Sequence, residues 1–148
     1  GLKTNWNKSD NEGIANRKDI SSLIKSGFEI GSHTKNHSNL AFEKRINIIQ
    51  QEIIESKNEL EKLFKVPVSI IALPYGGYPN KGAKCLIENY NHICTSVSGR
   101  WFPESRYVKR IKVTSKDSIL FLNLKIIIYT IKDVLKYLSK KPDKRFLD

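Results

Sequence analysis

The chain has 148 residues, of which 39% are hydrophobic. That excludes a disordered polymer and suits one domain, 1–148, able to bury about two-thirds of its unfolded surface. It carries 26 Lys and Arg against 15 Asp and Glu, a formal charge of +11, so anionic partners are favoured. The two cysteines, Cys85 and Cys94, make no disulfide framework and match no zinc spacing.

The opening GLKTNWNKSDNEG is polar and does not read as a signal peptide. KDISSLIKSG predicts a short helix with Ile20, Leu23 and Ile24 on one face and a stop at Gly27. FEIGS predicts a brief strand with Phe28 and Ile30 pointing one way. A long helix is expected over about 42–64, striped by Ile46, Ile49, Ile53, Leu60, Leu63 and Phe64, with Lys57 and Glu61 meeting on its outer face. VPVSIIAL, 66–73, is β-branched and apolar, as a strand buried on both faces is. PYGGYPN reads as a turn, KGAKCLIENY as a helix and HICTSV as another buried strand. GRWFPESR is a loop, YVKRIKVT alternates as a strand, and 118–139 is mostly helical with a candidate break at Thr130. The run ILFLNLKIIIYTI, interrupted by Asn123 and Lys125, is shorter than a membrane span.

Strands alternating with helices imply a parallel α/β sheet or barrel, in which loops at the C-terminal strand ends do the work. Three loops follow: one with His33 and His37, the PYGG turn, and one with Arg100 and Trp101. Imidazole is the commonest nitrogen ligand for zinc, and two histidines four apart can meet one ion. Ser32, Thr34, Asn36, Ser38 and Asn39 around them supply groups that bond backbone and orient rings.

GFEIGSHTKNHSNL, followed by QQEIIESKNELEKLF and ALPYGGYP, resembles the polysaccharide deacetylases, carbohydrate esterase family 4 or the NodB homology domain. The match runs over about 19–113, with NYNHICTS at the place of a later family strand. The resemblance implies a distorted (β/α) barrel. It implies a divalent metal, usually zinc, on His33, His37 and an aspartate. It implies a metal-activated water attacking an acetyl carbonyl, with an aspartate as base and the Tyr75 backbone N–H, in the Pro74–Tyr75–Gly76 turn, at the oxyanion. The substrate would be an N- or O-acetylated glycan, the setting the cell envelope, and an anionic envelope polymer a possible partner.

The family's TFDDG-like segment has no counterpart in the 148 residues. The chain is therefore expected to be an N-terminally incomplete domain without the general base. The upstream acids are Asp10, Glu12 and Asp19, the last suited to a helix start. Ala72 stands where many members have arginine, and His92, at the start of a predicted buried strand, reads as structural, so the proton donor is unassigned. A non-catalytic sugar-binding relative is the alternative reading. A basic nucleic-acid module, suggested by Trp6, Trp101 and Tyr107 amid Lys and Arg, is disfavoured because the basic residues are dispersed.

Overall fold

The computed structural model describes residues 15–139. Asp10, Glu12, Trp6 and the C-terminal Lys140, Lys141, Lys144 and Arg145 lie outside that range. Helix α1, Arg17–Lys25, starts in a capping box: Asn16 accepts from the Lys18 and Asp19 amides, and the Asp19 carboxylate accepts from the Asn16 amide at 2.8 Å. Asp19 is thus a helix-start residue, as its position in the sequence suggests.

The predicted long helix begins later, as α2, Ile46–Gln50, runs through a π-helical turn, Gln51–Glu55, and continues as α3, Ser56–Phe64. Phe42 stays outside it and is 82% exposed. Periodicity finds the stripe, and Ile49 and Ile53 are fully buried, but it does not register the extra residue of a π turn. The Ser56 and Tyr90 hydroxyls both donate to the Ile53 carbonyl, at 3.0 and 2.9 Å, which stabilises the irregular turn.

Strand β1, Ile70–Ala72, β2, His92–Cys94, and β3, Tyr107–Val108, form a parallel sheet in the order β1-β2-β3. Ile71 faces Ile93 across the first pair and Cys94 faces Val108 across the second. Helix α4, Ala83–Asn89, crosses over from β1 to β2. The expected FEIGS strand reduces to one bridge, Ser32 beside Ile71, and Phe28 is 62% exposed. YVKRIKVT contributes only its first two residues.

The core joins Leu40, Ile49, Ile53, Val68, Ile71, Leu73, Leu86, Tyr90 and Ile93, each 1% exposed or less. Each such side chain contributes about 1.5–3 kcal/mol of burial. It packs β1 and β2 against the α2–α3 unit and α4, which places the C-terminal ends of those strands beside the histidine loop.

Helix α5, Ile119–Leu138, is continuous through Thr130, so no break occurs there. It is anchored by buried Asp133, which accepts from the Arg100 amide at 2.6 Å and from the Lys109 ammonium. Among the described residues no helix is long and apolar enough to cross a membrane.

Candidate active site at the ends of the strands

Ser32 adds itself to the free side of β1, its amide donating to the Ile70 carbonyl and its carbonyl accepting from the Ala72 amide, both at 2.9 Å. Gly31 permits this approach, because a Cβ there would lie 3.1 Å from the Ile70 carbonyl oxygen. The Ser32 hydroxyl is buried and lies 2.7 Å from that of Ser56, tying the loop entry to α3.

The chain then turns sharply. Thr34 has φ 65° and His37 has φ 57°, left-handed conformations that non-glycine residues adopt at a cost of about 1–3 kcal/mol each. The turn brings the His33 and His37 rings to a centroid distance of 4.8 Å at an interplanar angle of 66°. His33 Nδ1 lies 2.7 Å from the Ala72 carbonyl oxygen. A carbonyl only accepts, so Nδ1 carries a proton, and in the neutral ring Nε2 is the nitrogen with the lone pair. Burial, and secondarily the neighbouring His33, hold the His37 imidazole below the usual histidine pKa, which favours its neutral form.

The loop is gripped from the helix side by a residue that sequence reasoning did not single out. Glu52, in the π turn, is only 3% exposed. Its Oε2 accepts from the Lys35 and Asn36 amides, at 3.0 and 2.8 Å, and its Oε1 from the Asn36 side-chain amide, at 2.7 Å. The available signal was a carboxylate on the apolar stripe, between Ile49 and Ile53. Outside it, the Lys35 ammonium pairs with Glu55 and with Glu59, the latter at 3.1 Å, and these contacts raise its pKa.

The PYG turn, Pro74–Gly76, follows β1 directly. Pro74 is buried, whereas the Tyr75 side chain is 73% exposed and meets the His37 ring edge-on at 5.0 Å. Tyr75 has φ 57° and Gly76 φ 67°. The turn is closed by the Gly76 amide on the Leu73 carbonyl, 3.0 Å, and the Gly77 amide on the Pro74 carbonyl, 2.9 Å. Both donors lie beyond Tyr75, so its own N–H is not among the groups that close the turn. Gly77 abuts Asn39 and Gly76 abuts Ser96, which locks the turn between the histidine loop and the segment after β2.

The remaining candidates lie apart. His92 opens β2 at the end away from the PYG turn; its Nδ1 is buried with no hydrogen-bond partner among the described residues, and its ring meets Trp101 edge-on at 5.7 Å. Arg100 uses its amide on Asp133, and the Trp101 indole donates to the Ser105 carbonyl at 2.9 Å. Both cysteines are free, and burial pushes both thiols up. Among the described residues no group of three or more His, Cys, Asp or Glu gathers as a metal site.

Comparison with known proteins extends these observations. No curated protein matches the chain at a significant level. Among solved structures it is similar to a polysaccharide deacetylase from Bacillus cereus, with a TM-score of 0.66 and 24% identity over 78% of this chain and 38% of the other. It is similar to the Streptococcus pyogenes deacetylase PplD, solved in complex with acetate, with a TM-score of 0.69 and 21% identity over 79% of this chain and 53% of the other. A de-N-acetylase from Aggregatibacter actinomycetemcomitans has a TM-score of 0.65 and 16% identity, over 76% and 53% of the two chains. The chain thus spans between about two-fifths and half the length of these structures. Their likeness shows the fold, a parallel α/β architecture of the deacetylase barrel type. The sequence profile of the polysaccharide deacetylases matches residues 3–89, more than half of the chain, and the chain belongs to that family.

Proposed function

We propose that the site belongs to a metal-dependent hydrolase that removes acetyl groups from an N- or O-acetylated polysaccharide, with His33 and His37 as two ligands of a divalent metal, zinc by preference. The observation that carries this reading is the histidine pair itself: adjacent rings, with the His33 proton fixed on Nδ1 by the Ala72 carbonyl. Zinc requires neutral imidazole lone pairs, and a hydrogen bond on the second ring nitrogen is the usual way to fix the ligating tautomer. The donor set therefore fits half of a tetrahedral zinc shell. Thr34 Oγ1, beside the histidines, is buried without a hydrogen-bond partner among the described residues, and such groups commonly mark a site completed by a ligand or water.

When bound, the metal supplies Lewis acidity toward the acetyl carbonyl and lowers the pKa of a coordinated water. The protein's own contributions are positional. The Ala72 carbonyl holds the His33 ring, and the Glu52 clamp holds the backbone between the two histidines. The Tyr75 N–H, in its left-handed turn, is assigned to the developing oxyanion. The exposed Tyr75 ring offers an apolar face to a sugar beside His37. The deacetylated product would leave as a free amine or hydroxyl with acetate as co-product. An acetylated envelope glycan is the substrate class, consistent with the family.

The residues described bring no carboxylate to the pair, so weak zinc affinity and little turnover are expected of the chain alone. Zinc titration by calorimetry, beside His33→Ala and His37→Ala, tests the ligand assignment, and acetate release from an N-acetylated oligosaccharide with added zinc tests the chemistry. Zinc binding that both substitutions abolish supports the reading. Zinc binding indifferent to both would sink it, and oligosaccharide binding without any metal dependence would favour a sugar-binding relative.

A further inference from the structure

We infer that Glu52 is a positioning residue, whose buried carboxylate sets the loop conformation that brings the two histidine rings together. Its three donors come from Lys35 and Asn36 alone, the two residues between the left-handed Thr34 and His37. A side chain that grips only the middle of the five-residue segment 33–37 controls the separation of its ends. Those ends carry His33 and His37.

The energetics argue against a packing role. Taking a carboxylate out of water costs far more than placing an apolar side chain at the same point, unless strong donors surround it. Glu52 sits between Ile49 and Ile53, both fully buried, where leucine would satisfy the core. What an apolar residue cannot do is accept two adjacent backbone N–H groups at 3.0 and 2.8 Å. Charge-assisted bonds of this kind are the strong ones.

The π turn is the second half of the device. One α-helical residue advances the side chain by about 100° around the axis. Ile49, Glu52, Ile53 and Ser56, at i, i+3, i+4 and i+7, therefore share one buried face, and the π turn spans its middle. The Tyr90 and Ser56 hydroxyls on the Ile53 carbonyl hold that irregularity in place. A chain from Tyr90 through the π turn to Glu52 thus sets the histidine loop. The metal arm of the test below rests on the proposed role of His33 and His37, whereas the backbone arm does not.

The test compares wild type, Glu52→Ala, Glu52→Gln and, as a control for the outer ion pairs, Glu55→Ala, all in the 148-residue chain. Amide hydrogen exchange at Lys35 and Asn36 should accelerate about 10- to 100-fold in Glu52→Ala, the worth of charge-assisted bonds, with Ile71 and Ile93 amides unchanged. Glu52→Gln keeps one oxygen but no charge, and should lie between, roughly 3- to 10-fold faster at those two amides alone. Glu55→Ala should leave both at the wild-type rate. Cobalt(II) titration, followed by the visible spectrum, should show affinity falling about 10- to 100-fold in Glu52→Ala and partly recovering in Glu52→Gln. If Glu52→Ala does not fold, the glutamine variant decides. Acceleration spread equally over Ile71 and Ile93, or none at Lys35 and Asn36 in any folded Glu52 variant, overturns the inference. A wild type that takes up no cobalt while the amide pattern holds overturns the metal reading and leaves Glu52 as the loop's positioning residue.

Discussion

Replacing Gly76 by alanine should destabilise the protein through two separable effects at the PYG turn. The backbone there has φ +67°, which costs a residue with a Cβ about 1–2 kcal/mol. The added methyl would also lie 2.2 Å from Ser96 Oγ and 2.5 Å from Ser96 Cβ. The hydroxyl can rotate away, but the Cβ moves only with its backbone, so the overpacking adds about 1–3 kcal/mol. The total, about 2–5 kcal/mol, is a large share of the stability of a domain this size. Urea unfolding of wild type, Gly76→Ala, Ser96→Gly and the double variant measures both parts. Removing the Ser96 side chain takes away the two nearest atoms and leaves its amide nitrogen, the next, at 3.3 Å from the new methyl. The double variant should therefore recover the overpacking and retain the backbone cost. A Gly76→Ala variant within about 0.5 kcal/mol of wild type, below any cost expected of the strained backbone, would refute the geometry. A double variant no more stable than Gly76→Ala would show that Ser96 is not what the methyl meets.

Three further outcomes are expected. Tyr90→Phe removes a buried donor to the Ile53 carbonyl, which Ser56 still satisfies, and should cost about 1 kcal/mol by urea unfolding; no loss would mean that the π turn does not depend on that bond. Asn16→Ala removes the α1 cap and should cost about 1 kcal/mol, with amide exchange rising at Lys18 and Asp19 and not in the sheet. The Glu43 carboxyl, bonded first by the Arg45 guanidinium and then by the Arg45 amide, is lowered from 4.5 to about 2. Its contribution is present above the unfolded value of 4.5 and is lost as the pH falls through about 2, so carbon NMR should show a Glu43 midpoint near 2 that moves toward 4.5 in Arg45→Ala.

Legibility in the sequence followed the number of neighbours a segment has. Of the strand expected over 66–73 only Ile70–Ala72 forms, where the chain pairs with β2 on one edge and Ser32 on the other and Ile71 enters the core. FEIGS alternates on paper, yet its pairing rests on one neighbour and its Phe28 is exposed. The helix stripe gave Ile49 and Ile53 correctly and misplaced the start, because residues 43–45 are held by the Glu43 side chain, which accepts from the Lys44 and Arg45 amides and the Arg45 guanidinium. Thr130 reads as a helix breaker locally, but α5 is anchored by Asp133, three residues on, and stays continuous.

The histidines were visible because their spacing and polar setting are properties of a short window, whereas the group that sets their geometry was not. Glu52 lies 16 residues beyond Asn36, its nearest loop partner, and reaches it only once the helix face that carries it packs against the loop. The other constraints on the site are also remote in sequence, Ala72 lying 39 residues from His33 and Ser96 20 from Gly76. Among the described residues, four non-glycine positions have positive φ, and three of them, Thr34, His37 and Tyr75, belong to this site; the fourth, Lys65, ends α3. Strained backbone persists only where surrounding structure over-determines it. The sequence window names the strained residues, and the distant contacts from Glu52, Ala72 and Ser96 are what hold them in that conformation.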